Sequence, residues 1–152
     1  MYEFLEETVG NNMTPAVRSV TPEASVGELY RLFAADDFDA YPVVQDEKLV
    51  GIVSKLDALK PFAFTERQLI PHYKDGMEAT VDDIMSTNVV AVDPETRLQR
   101  VLELMIKHRV KSLPVVDQWQ SLIGIIARED VMRAMDRSVS TQYPPVIPFA
   151  AA

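Results

Sequence analysis

An α+β fold, made of a tandem pair of β-α-β-β-α units, is what this sequence predicts, on three observations. One motif occurs twice at a near-constant offset. Each occurrence carries an apolar stripe of helical period followed by two short β-branched runs. About sixty residues per unit are too few to bury much apolar surface alone, so the two units are expected to pack, sheets face to face, into one domain.

The repeat is exact in spacing over most of its length. Met13 in NNMTPAVRSVTPE corresponds to Met85 in DDIMSTNVVAVDPE, an offset of 72. The same offset aligns Val20–Glu23 with Val92–Glu95 and Tyr41–Val44 with Leu113–Val116. One residue is then inserted, and an offset of 73 aligns Gly51-Ile52-Val53 with Gly124-Ile125-Ile126 and Asp57 with Asp130. A single insertion within a turn marks duplication of one structural unit.

In chain order, a short strand opens each unit at Val17–Val20 and Val89–Val92. A helix follows. Val26, Leu29, Tyr30, Phe33 and Ala34, and likewise Leu98, Val101, Leu102, Met105 and Ile106, form its apolar stripe. Ser25-x-x-Glu28 and Thr96-x-x-Gln99 read as capping boxes at its start. The runs AYPVV and LVGIV, then SLPVV and LIGII, read as hairpins. A second helix is expected around Leu56–Leu59 and Val131–Met135. The boundaries are 8–60 for the first unit, 61–79 for a connector with a short helix between its prolines, 80–136 for the second unit, and 137–152 for a proline-rich tail.

Composition narrows the function. The 152 residues carry a net charge of -8, with 15 Lys and Arg against 23 Asp and Glu. That balance argues against nucleic-acid binding, which needs a basic face. The absence of cysteine excludes thiolate metal sites and cysteine nucleophiles, and two histidines do not make a metal site. No G-x-x-x-x-G-K-[ST] loop or nucleophile pairing is present, so the chain is not expected to be an enzyme and no catalytic cofactor is implied. The longest apolar stretches, such as Leu122 to Ala127, fall far short of the roughly 20 residues of a membrane span. The start MYEFLEE is no signal peptide, and a cytoplasmic location is expected.

VDDIMSTNVVAVDPET, KSLPVVD and the Gly-apolar-apolar-x-x-x-Asp block, repeated in order over roughly residues 8–136, resemble the cystathionine-β-synthase (CBS) domain. Two in tandem resemble a Bateman module. The resemblance implies a pair related by a pseudo-two-fold axis, usually dimerised through helices. It also implies clefts that bind adenosine-containing ligands such as AMP, ADP, ATP or S-adenosylmethionine. In that family the Asp of a Ser/Thr-x-x-Asp motif holds the ribose hydroxyls, while segments before the first strand and before the hairpin proline surround the base.

Carried over by position, one cleft uses Asp82, Thr87, Lys111, Ser112 and Pro114 with Ser54 and Asp57. The other uses Gly10, Pro15, Asp39, Ala40 and Pro42 with Ala127 and Asp130. Ala127 stands where the family has Ser or Thr. Asp36, Asp37 and Asp39 of the first unit align with His108, Arg109 and Lys111 of the second. Carboxylates repel a phosphate and cations attract it. The first cleft, with Arg109, Lys111 and Lys55, is therefore the expected anionic-nucleotide site; the second, with Asp130 and Arg128, is the weaker one.

Structural readings stand beside these. Ser54-x-x-Asp57 is also an ordinary cap, cations at a helix C-terminus favour the macrodipole, and the acidic triplet reads as solvated loop charge. Met105, Met132 and Met135 are expected in the core or a dimer contact. Trp119 is expected to be covered by its own unit or to anchor an interface, and His72 and Tyr73 to lie on the surface. The function implied is a stand-alone regulatory module that binds an adenosyl ligand, forms a homodimer and signals to an effector protein. The competing reading is a ligand-free structural dimerisation module.

Overall fold

In a computed structural model of the chain, residues 2–15, 17–63 and 73–142 are described. The proline-rich tail beyond them, His72, and most of the expected helix between Pro61 and Pro71 lie outside the described residues. The elements are α1 (Val26–Ala35), β1 (Ala40–Gln45), β2 (Lys48–Ser54), α2 (Lys55–Leu59), α3 (Tyr73–Glu78), α4 (Val81–Ile84), α5 (Leu98–His108), β3 (Ser112–Val116), β4 (Leu122–Ala127) and α6 (Arg128–Gln142). β1 pairs with β2, and β3 with β4.

The compact units do not coincide with the sequence repeats. One gathers the described residues of Met1–Ala16, Ala91–Asp117 and Ile123–Ala152; the other gathers those of Val17–Val90 and Gln118–Leu122. The segment preceding each repeat's opening valine thus packs with the other repeat's helices and hairpin. Backbone bonds show how. In the first-named unit, Thr14 and Ile125 exchange N–H···O bonds of 2.9 Å in each direction, and the Leu98 N–H donates to the Glu7 carbonyl at 2.9 Å. In the other, Ser86 and Ile52 exchange bonds of 2.9 Å, and the Val26 N–H donates to the Ala79 carbonyl at 2.8 Å. Gly51 and Gly124 permit these approaches. A Cβ on Gly51 would stand 3.0 Å from the Ser86 oxygen, and one on Gly124 would stand 2.9 Å from the Thr14 oxygen.

The expected opening strands shrink to single parallel bridges, Val20 with Val43 and Val92 with Val115. Prolines explain the shortening on both sides. The Val20 N–H reaches the Pro42 carbonyl at 3.0 Å and the Val44 N–H reaches the Val20 carbonyl at 2.9 Å. The next donor in one direction would be Pro42 and in the other Pro22, and neither has an N–H. Pro114 and Pro94 end the Val92 bridge in the same way.

The capping boxes divide. Ser25 and Glu28 form theirs at 3.1 and 3.2 Å. Thr96 and Gln99 do not: α5 begins after Arg97, which makes no side-chain cap, and the Thr96 hydroxyl instead accepts the Asp93 N–H at 3.3 Å. The Glu7 carbonyl already takes the Leu98 N–H, leaving a side-chain cap less to satisfy. An unexpected box forms at α4, where the Asp83 carboxylate accepts the Thr80 N–H and hydroxyl.

The core of the Val17–Val90 unit joins Val20, Val26, Leu29, Tyr41, Val43, Val53, Ala58, Val81 and Ile84. Of the expected helix stripes, Val26, Leu29, Leu98, Val101 and Met105 are buried, but Tyr30, Leu102 and Ile106 are exposed. Met132 and Met135 are exposed as well, on an α6 far longer than expected. The β1–β2 turn places Asp46 and Glu47 at φ 51 and 67, the left-handed pair of a two-residue hairpin. Trp119 is exposed. Its carbonyl accepts the Lys48 ammonium at 2.6 Å, so the β3–β4 turn sits with the Val17–Val90 unit. Tyr73 is exposed and its ring lies 5.8 Å from that of Phe62.

Candidate functional site

In the Val17–Val90 unit the strand-to-helix junction β2–α2 carries Ser54, Lys55 and Asp57. Ser54 caps α2, its hydroxyl accepting the Asp57 N–H at 3.1 Å while the Asp57 Oδ2 accepts the Ser54 N–H at 2.9 Å. The Lys60 ammonium lies 2.5 Å from Asp57 Oδ1. Burial alone would push the Asp57 carboxyl up, but the Lys60 ammonium and the Ser54 donors outweigh it and hold the group below its usual value. Asp57 is thus a fixed, ionised acceptor. Lys55 is exposed, its N–H held by the Asp39 carbonyl at 3.0 Å.

The same unit contains Thr87, Asp82, Ala40 and Pro42. Ser86 pairs with Ile52, which brings the exposed Thr87 to the C-terminal half of β2. Ala40 pairs directly with Ser54, and Pro42 with Ile52. The exposed Asp82 on α4 donates its N–H to the Pro22 carbonyl at 2.9 Å. Gly10 makes the equivalent bond to Pro94 at 2.8 Å in the other unit. There a Cβ would stand 3.1 Å from the Pro94 oxygen, so the position that offers a carboxylate in one repeat is bare in the other.

The Met1–Ala16/Ala91–Asp117 unit holds Arg109, Lys111, Ser112, Pro114, Arg128, Asp130 and Pro15. Arg109 ends α5 in the left-handed conformation, φ 54, its N–H returning to the Met105 carbonyl. It is therefore a helix terminator as well as a cation. The Lys111 carbonyl accepts the Arg128 N–H at 3.0 Å, the counterpart of the Asp39–Lys55 bond. Ser112 is partly buried and Pro114 buried on β3, while Pro15 is exposed beside Thr14, the partner of Ile125. Asp130 is 3% exposed. Its Oδ2 accepts the Ala127 N–H at 2.8 Å and its Oδ1 meets the Arg133 guanidinium. Asp130 thus keeps the carboxylate half of the cap that Ala127 cannot complete with a hydroxyl.

Two features of the site go beyond the sequence expectations. The first is the cation three residues after each aspartate, Lys60 and Arg133; the pattern Asp-x-x-Lys/Arg recurs at the offset of 73 and was legible. The second concerns the acidic triplet. Asp36 is not merely solvated: its Oδ2 accepts the Tyr41 hydroxyl at 2.8 Å and pairs with Arg18 at 3.0 Å. Burial, then the Asp36 bond and charge, push the Tyr41 hydroxyl up to about 12. No group of metal-ligating side chains occurs among the described residues. No helix among them is long and apolar enough to cross a membrane.

Comparison with known proteins agrees with the geometry. The family model of the CBS domain matches residues 7–63 and again 81–137. The CBS domain-containing protein YhcV of Bacillus subtilis is 32% identical over 125 residues, covering 82% of each chain. Inosine-5'-monophosphate dehydrogenase of Korarchaeum cryptofilum is 31% identical over 115 residues, 76% of this chain. Those residues are only 21% of that enzyme, so the likeness concerns a part of it. A crystal structure of CBSX2 in complex with AMP superposes with a TM-score of 0.74 at 31% identity, covering 86% of this chain and 97% of that one.

Proposed function

The chain belongs to the CBS-domain family as a tandem pair, and on that footing we propose that it is a regulatory module binding an adenosine-containing ligand rather than an enzyme. One observation carries the proposal. Asp57 is held ionised at the start of α2 by Lys60 and Ser54, in a chain 31% identical to CBSX2, whose structure was solved with AMP. A fixed carboxylate with a helix-capping neighbour suits the two donors of a ribose diol. Thr87, Asp82 and Lys55 share its unit, while Arg109, Lys111, Ser112 and Pro114 belong to the other.

Asp57 with Ser54 is the stronger ribose acceptor in this proposal. Asp130, with no hydroxyl at Ala127 and nearly no exposure, is the weaker. The ligand class is AMP, ADP, ATP or S-adenosylmethionine. Its effect would pass to a partner protein by a shift between two arrangements for which it has different affinity. Calorimetric titration with AMP, ATP and S-adenosylmethionine tests this. Binding is expected to fall at least tenfold in Asp57→Ala. Binding untouched there but lost in Asp130→Ala would reverse the assignment.

A second reading, a ligand-free dimerisation module, is favoured by the exposed Leu102 and Ile106 on α5 and Met132, Met135 and Val139 on α6. Melting temperature decides between them, since a ligand that binds only the folded chain raises it. A dimer by sedimentation with no thermal response to any of the three ligands would favour the second.

A further inference from the structure

Asp57 and Asp130 share a constraint that a cap does not require. In each, one carboxylate oxygen is held by the N–H three residues earlier, at 2.9 Å from Ser54 and 2.8 Å from Ala127. The other oxygen is held by the cation three residues later, Lys60 or Arg133. The i to i+3 spacing sets that cation one turn along the same helical face. The carboxylate side chains are only 13% and 3% exposed, whereas those of Lys60 and Arg133 are 59% and 65% exposed.

We propose that Lys60 and Arg133 set ligand affinity by occupying the carboxylate oxygen that a ribose diol needs, so that an adenosyl ligand must displace an ion pair to bind. This rests on the adenosine-binding reading above. The cap N–H can stay while a ligand binds, because a carboxylate oxygen accepts more than one bond. The cation cannot, because so little of either carboxylate is left uncovered. Displacement is feasible, since both cations are mostly in water and return to it at low cost. The two sites differ in degree. Lys60 is a single mobile charge, whereas Arg133 presents a planar donor fork to the more enclosed carboxylate. Asp130 is the more tightly closed of the two.

Adenosine and AMP separate this role from phosphate binding. Calorimetry on Lys60→Met and Lys60→Gln is expected to show adenosine binding about three- to tenfold tighter than wild type, the worth of one displaced charge-assisted bond at a partly exposed site. Arg133→Gln should tighten adenosine binding or add a second binding event, while Arg133→Lys, which keeps the charge, should stay near wild type. Added sodium chloride should strengthen adenosine binding to the wild type by screening the pair, and leave Lys60→Met flat. A purely structural cation would not give that salt response. The proposal is overturned if adenosine affinity is the same in all variants. It is equally overturned if AMP binding weakens while adenosine binding holds, which would make the cations phosphate ligands. If neither wild type nor any variant binds adenosine or AMP, the ligand reading itself has failed. That result differs from one in which AMP binds and the substitutions do nothing.

Discussion

Gly51 lies so close to Ser86 that a methyl group in its place would stand 3.0 Å from the Ser86 carbonyl oxygen and 2.7 Å from the Met85 sulfur. Gly124 stands in the same relation to Thr14 and Met13, at 2.9 and 2.8 Å. The methionine in each pair can swing aside, but the paired backbone cannot move without losing its two bonds to Ile52 or Ile125.

Gly51→Ala and Gly124→Ala are therefore each expected to destabilise by about 1–3 kcal/mol. Shortening the methionine, as Met85→Ala in the Gly51→Ala background, should recover only part of the loss. Chemical denaturation of the single and double variants checks this. Full recovery would show that the sulfur, and not the carbonyl, sets the limit.

Ala127 precedes α6 where Ser54 precedes α2, with the carboxylate half of the box already in place through Asp130. Ala127→Ser is expected to stabilise by about 0.5–1 kcal/mol, and Ser54→Ala to cost about 1 kcal/mol. Thermal melts should move in opposite directions by roughly 2–4 °C. A loss of stability in Ala127→Ser would mean that the site has no room for a bonded hydroxyl.

How far could these features be read from the residues alone? The duplication, both hairpins, α1 and α5 and the α2 cap follow from local spacing, and all are present. What escaped was long-range. That Glu7 rather than Thr96 satisfies the start of α5 depends on a segment some ninety residues away in sequence. The reduction of the opening strands follows from four prolines, two of which sit in the partner strand, so neither strand reveals it by itself. At the site, Ser54 and Asp57 are legible as a motif, but the Lys60 and Arg133 ion pairs are not, because a cation at i+3 looks like any solvated charge. Asp36 looks like solvated loop charge for a related reason: its partners Arg18 and Tyr41 come from separate segments.

Acid sensitivity should trace in part to Asp57. Its folded-state value is depressed, so its contribution is present above the unfolded value near 3.8 and is lost as pH falls through the folded one. Asp57→Asn should be less stable than wild type at pH 6 and show a flatter decline below pH 4. Denaturation midpoints across that range give the comparison; parallel declines would rule the residue out.

At the alkaline end Tyr41 acts in the opposite sense. Its hydroxyl is raised from 10.0 to about 12, so the stability it lends is intact below pH 10 and vanishes as pH climbs through 12. Tyr41→Phe should cost about 1 kcal/mol at neutral pH for the lost bond to Asp36. It should then lose less than wild type between pH 10 and 12. An absorbance titration in which every tyrosine ionises together near 10 would contradict the burial of this one.

The crossing of the leading segments has a consequence for how this protein can be divided. Cutting the gene between its repeats would yield two polypeptides, each bearing an N-terminal strap made for the other and lacking its own. A lone half is therefore left without the segment to which its helices and hairpin are hydrogen-bonded in the intact chain.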